Sequence, residues 1–135
     1  MIIFFCSYTK ACDCDQERKP LQELFKSSKI VLIGTVISTK NSNFRDSVTG
    51  DTFQEIILKI DNIIMGNSSL SKITVFTEHS DCGEFLKKGK TYLVYAFWNT
   101  QNNLLEIHQC HSPCPEIDTD FAKRDLKEIK RLKSN

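Results

Sequence analysis

Short apolar runs alternate with polar breaks along the chain, and their spacing predicts two helices and five strands. Pro20 stands where a helix can open. Leu21, Leu24 and Phe25 follow at helical spacing, which predicts a short amphipathic helix ending near Ser27-Ser28. Lys29 to Ser38 is rich in β-branched residues and reads as a long strand, with Gly34 marking a bulge or sharp bend. Asn41 to Asp51 is polar, contains Gly50 and reads as a loop. Thr52 to Met65 is a second β-rich stretch, with Phe53, Ile57 and Ile63 expected on one face, and Gly66-Asn67-Ser68-Ser69 breaks it. Lys72 to Thr77 alternates with period two, as a half-buried strand does. Lys88-Gly89 turns into a strand from Lys90 to Trp98, Asn99 to Asn103 is a hairpin loop, and Leu104 to His108 returns as the fifth strand. Asp118 or Thr119 can cap a last helix carrying Phe121, Ala122, Leu126, Ile129 and Leu132 on one side. Its Lys and Arg residues alternate with Asp125 and Glu128, as on a solvated face. Five strands with a helix at each end fit a small closed barrel, but periodicity alone does not choose between that and a sandwich or an open sheet.

Composition narrows the classes of function. A length of 135 residues suits one domain. With 18 Lys+Arg against 17 Asp+Glu, the chain lacks the basic excess of a nucleic-acid binder. Tyr92, Tyr95, Phe97 and Trp98 offer stacking faces for bases, yet strand aromatics more often fill a core. No apolar run approaches the ~20 residues of a membrane-spanning helix. His79, His108 and His111 read as surface or capping residues, and no nucleophile motif, phosphate loop or HExxH pattern is present. The chain therefore reads as a non-enzyme with no cofactor of its own and no nucleic-acid partner.

Six cysteines in so short a chain point to an oxidising compartment. Ile2, Ile3, Phe4, Phe5 and Cys6 form a short apolar core ahead of polar Ser7 to Lys10, and Ala11 precedes Cys12 as a small residue precedes a signal-peptidase cut. Residues 1–11 are thus expected to be a truncated signal peptide and 12–135 the mature domain, whose balance becomes 17 basic against 17 acidic residues. An ordinary first strand is the alternative for this segment. A bacterial lipoprotein signal, with Cys12 as the acylated residue, fits less well because Thr9 and Lys10 replace the usual Leu and small residue. The expected location is extracellular, or the bacterial cell envelope with a lipid anchor.

Cys12-Asp13-Cys14 opens the mature chain, Phe25 lies in the first helix, and Lys29 to Gly34 forms strand one. Met65-Gly66 follows strand two, and Thr77 and Asp81-Cys82-Gly83-Glu84-Phe85 follow in order. Gly89 to Ala96 and Gln109-Cys110 complete the set. In this order the chain resembles the tissue inhibitors of metalloproteinases and the netrin-like domains around them, over residues 12 to about 132. The resemblance implies a mainly β fold, a five-stranded closed barrel of OB type with a short N-terminal helix and a C-terminal helix. It also implies the disulfides Cys12–Cys82 and Cys14–Cys110. These would close loops of roughly 70 and 100 residues, each worth up to ~4–5 kcal/mol in the chain-entropy account. The family's third bridge is missing, because Lys26 stands where its first-helix Cys would be, and the family's C-terminal subdomain is missing too. Cys114 has no family counterpart and Cys6 is its leftover partner. Without Cys6, Cys114 is expected as a thiol or an intermolecular link.

The function implied by the resemblance is inhibition of a zinc metalloendopeptidase. The amine and carbonyl of an N-terminal Cys12 would chelate the protease's zinc and displace the water it activates. Metal ligation by Cys12 is thus to the partner's ion only. Asp13 would enter the specificity pocket beside a catalytic Glu, where an ionised carboxylate is poorly tolerated, so inhibition is expected to be weak or narrow. Glu78-His79-Ser80-Asp81, beside Cys82, would form the second part of the protease-binding ridge. A non-inhibitory module that binds another extracellular protein is the main rival. A structural zinc site built on Cys12, Cys14, Cys110 and Cys114 with His108 or His111 is a lesser one, because its ligand spacings are poor. Asn67-Ser68-Ser69 would be a glycosylation site in a eukaryote.

Overall fold

The computed structural model describes residues 19–48, 50–78, 86–108 and 114–134. In chain order the elements are α1 (Leu21–Ser27), β1 (Ile30–Arg45), β2 (Thr52–Met65), β3 (Lys72–Glu78), β4 (Thr91–Asn99), β5 (Leu104–Glu106) and α2 (Asp120–Lys133). The five strands close in a ring ordered β1-β2-β3-β5-β4, with β4 returning to β1. All neighbours run antiparallel except β3 and β5, which pair in parallel through Phe76 and Glu106. The Ile107 N–H donates to the Phe76 carbonyl at 2.8 Å, so that contact continues past the end of β5. Among the described residues no helix is long and apolar enough to cross a membrane.

Two apolar layers hold the ring together. Inside it, Ile30, Leu32 and Val36 of β1 meet Ile56 and Leu58 of β2, Val75 of β3 and Tyr92, Val94 and Ala96 of β4. Outside it, Val31, Leu93 and Tyr95 pack under Ile129 and Leu126 of α2 and Leu21 and Phe25 of α1. Parts of β1 and β4 are therefore buried on both faces, which explains why their sequences are unbroken apolar runs. Among the described residues the helices pack over β1 and β4, and β3 keeps the alternating pattern. The β1–β2 register shifts between Ile33 and Gly34, as the glycine led us to expect, and a Cβ there would meet Leu32 Cδ1 at 2.9 Å.

Several details depart from the sequence expectation, among them a fifth strand that ends at Glu106 and not at His108. β1 runs on to Arg45 because Asn41 and Arg45 still pair with Gln54 and Thr52, so the polar stretch is a two-stranded ribbon before it is a loop. Backbone pairing needs no buried face, and residue pattern does not report it. In β2 the inward residues are Ile56 and Leu58, one position out of step with Phe53 and Ile57. Phe53 is buried instead on the outer surface, edge-on to Phe44 and Phe76 at centroid distances of 6.0 and 6.4 Å.

α2 opens with Thr119 as N-cap, its Oγ1 accepting the Ala122 N–H at 3.2 Å. Phe121 is 37% exposed, whereas Asp125, expected on the solvated face, is 6% exposed. The Tyr95 hydroxyl donates to Asp125 Oδ2 at 2.6 Å, and that bond makes burial of the carboxylate tolerable. Tyr95→Phe removes this donor and is expected to destabilise the fold by about 1.5–3 kcal/mol, the range for a bond to a charged group. Urea unfolding at neutral pH measures it; a loss near zero would mean that the bond contributes nothing net.

Candidate functional site

Of the expected ridge, Cys12, Asp13, Cys14, His79, Ser80, Asp81 and Cys82 lie outside the described residues, as do Cys110 and residues 1–11, expected as a signal peptide. Glu78 is described. It ends β3 opposite Phe53, on the outer face, and is exposed. Its carboxyl is held above the ordinary glutamate range, first by partial burial and then by the nearby charges of Glu106, Asp46 and Asp51. The neighbouring Asp46 carboxyl adds a further, smaller rise through side-chain hydrogen bonding.

The residues that gather these acids come from two hairpins far apart in sequence. Asp46 starts the β1–β2 turn, where its Oδ1 accepts the Val48 N–H at 2.7 Å and its N–H donates to the Asp51 carbonyl at 2.7 Å. In the β4–β5 hairpin, Asn102 Oδ1 accepts the Ser47 N–H at 2.9 Å and Asn102 Nδ2 donates to Asp46 Oδ2 at 3.2 Å. Asn99 Oδ1 in turn accepts the Asn102 N–H at 3.0 Å, while Asn99 Nδ2 donates to Glu106 Oε1 at 2.7 Å. One continuous network thus ties both hairpins to the end of β5. Sequence reading placed Asn99 and Asn102 in a plain hairpin loop. The signal it passed over was Glu106, a lone acid in the run Leu104-Leu105-Glu106-Ile107.

Glu106 is 6% exposed. Burial raises its carboxyl and Asp46 raises it further, against the lowering effect of the Asn99 bond. An acid whose folded pKa is raised contributes stability that is complete below the unfolded value, about 4.3, and is lost as pH rises through the folded value. Glu106→Gln keeps an oxygen acceptor for Asn99 and removes the charge. It is expected to stabilise the protein at pH 7 by up to about 1 kcal/mol, the scale of one partly screened charge pair. The gain should shrink toward pH 4, where the native Glu106 is already protonated. Paired urea curves at the two pH values measure this; destabilisation at both would refute the electrostatic account.

Asp46 and Glu106 both raise Glu78, and Asp46 raises Glu106, yet among the described residues no three His, Cys, Asp or Glu side chains are arranged to hold a metal ion. Cys114 is buried within the ring's interior cluster, and desolvation pushes its thiol up to about 12. A thiol so placed behaves as a small core hydrophobe, which weighs against both the structural-zinc role and the intermolecular link considered for it.

The described ends of the ring also bear on the cysteine-carrying segments. Because β3 and β5 are adjacent and parallel, both chains leave the sheet in the same direction. Lys19, the first described residue, and His108, two residues past the end of β5, line one cavity of about 300 Å³ with Leu24, Phe97 and Trp98. The start of the described chain and the exit from β5 are therefore neighbours. Compared with known proteins, the chain matches no family model and no curated protein.

Proposed function

We propose that this protein is an exported inhibitor of zinc metalloendopeptidases, built on an OB-type barrel and clamped by Cys12–Cys82 and Cys14–Cys110. The strand order β1-β2-β3-β5-β4 with flanking helices supports the OB-type reading. The observation that carries the proposal is the parallel pairing of β3 with β5 beside the cavity shared by Lys19 and His108. Cys82 lies four residues past the end of β3, Cys110 four past the end of β5, and Cys14 five before Lys19. At ~3.3–3.6 Å per residue these are short reaches from neighbouring points. They suit a terminus held against both strand exits, with the amine and carbonyl of Cys12 fixed before a protease arrives and little ordering entropy left to lose.

Glu78, set among Asp46, Glu106 and Asp51, makes the described part of this ridge acidic, and Asp13 adds to it. The fitting target is a zinc protease with a basic group at the rim of its cleft. The test is a panel of zinc endopeptidases assayed with protein whose N-terminal residue has been verified as Cys12. Stoichiometric inhibition of at least one member, strongest where the cleft carries Arg or Lys, is expected. Failure across the panel with the verified terminus and both bridges mapped would leave a non-inhibitory extracellular binding module as the reading.

A further inference from the structure

We propose a second site, which shares no residue with the ridge though it borders the Lys19–His108 cavity: the open mouth of the ring around Trp98 binds a single apolar chain ending in a carboxylate, a ligand of the fatty-acid class. The period-two alternation of β4 puts Tyr92, Val94, Ala96 and Trp98 on one face. The first three are buried in the ring's interior, while Trp98, where the strand leaves it, is 46% exposed. A cavity of about 500 Å³ opens there, walled by Ile30, Ile73, Leu105 and Trp98, with Leu70 of the β2–β3 loop at its rim. Ile30 belongs to the interior cluster and Ile73 and Leu105 pack against it, so the cavity continues the core toward the surface. Leu70, 69% exposed, adds apolar area that water gains nothing by solvating. Barrel mouths of ~300–1,000 Å³ with apolar walls and a few polar groups are recurrent small-molecule sites.

The charges at this mouth select the head group. Lys29 stands on the rim of this cavity and Lys19 on that of the neighbouring one, which shares Trp98 as a wall. No Asp or Glu lines either cavity among the described residues. Asp46, Glu78 and Glu106 are gathered at the hairpin network and line neither cavity. Lys29 is the one charged residue among the described residues that line this cavity, which favours an anionic head over a neutral or cationic one.

Trp98 is the single tryptophan of the chain, so its fluorescence reports on the site without a label. Laurate, dodecanol and dodecyltrimethylammonium, each kept below the concentration at which it aggregates, are titrated into the full mature protein. Equilibrium dialysis of labelled laurate gives a second readout. Laurate is expected to bind saturably with a blue shift, about tenfold tighter than the trimethylammonium compound. Lys29→Glu, a change at an exposed position, should weaken laurate by roughly fivefold to tenfold without altering the circular dichroism spectrum. Leu70→Asp should weaken all three ligands. No saturable laurate binding in dialysis, or equal binding of the cationic compound, would overturn the proposal, and an unchanged laurate affinity in folded Lys29→Glu protein would overturn the role of the head group.

Discussion

One Ala added ahead of Cys12 in the mature protein is expected to weaken inhibition of a responsive zinc endopeptidase by at least about 100-fold, the loss typical of removing a dominant interface group. The reason is chemical before it is steric. A terminal amine has a lone pair to give to zinc once its last proton leaves, whereas an amide nitrogen has committed that pair to the peptide resonance. The extension also inserts a residue, ~3.8 Å of chain, into the space the metal would occupy. The same chemistry sets a pH signature. The α-amine titrates near ~7.7–8, so zinc must compete with a proton below that range and inhibition should weaken as pH falls from 8 to 6. Inhibition constants for the native and extended proteins at both pH values give the answer. Equal potency of the two proteins would remove the terminus from the mechanism, whatever else binds the protease.

The parts of this fold legible in sequence are those where burial follows a simple period. The alternation over Lys72 to Thr77, the unbroken apolar runs of β1 and β4 and the Thr119 cap all report local surroundings, and the structure has them where they were expected. The hairpin network was not legible, because Ser47 and Asn102 are 55 residues apart and meet only after the ring closes. Asp125 was misplaced for a related reason. A charged residue in an amphipathic helix reads as solvent-facing unless its partner is known, and Tyr95 lies 30 residues earlier on a strand. Phe53 escaped because its burial comes from Phe44 and Phe76 on the outer surface, not from the interior. The ridge expectation rested on cysteine order, and of its residues only Glu78 falls among those described, in surroundings more crowded with acids than the four-residue segment alone suggested.

Gly66→Ala is expected to destabilise the fold by about 3–5 kcal/mol, a fall in Tm on the order of 10–20 °C. Two separate penalties meet at this residue. Its φ of +101° lies where a side chain is rarely accommodated, and an added Cβ would stand 2.8 Å from the Lys29 carbonyl oxygen and 3.1 Å from Ile30 Cα and Cβ. Those neighbours are backbone and core, so no flexible side-chain end can swing aside. Gly50 separates the two effects, since its φ of +79° is also positive but nothing lies within 4 Å of the point where a Cβ would stand. Gly50→Ala should therefore lose only the conformational part, about 1 kcal/mol. The difference between the two variants in thermal unfolding is the energy of the close approach itself. That approach lets the chain leaving β2 pass over Ile30 at the mouth of the ring. A loss at Gly66 no larger than at Gly50 would show that the turn can back away from β1, and that the wall formed by Gly66 and Ile30 beside Trp98 is soft.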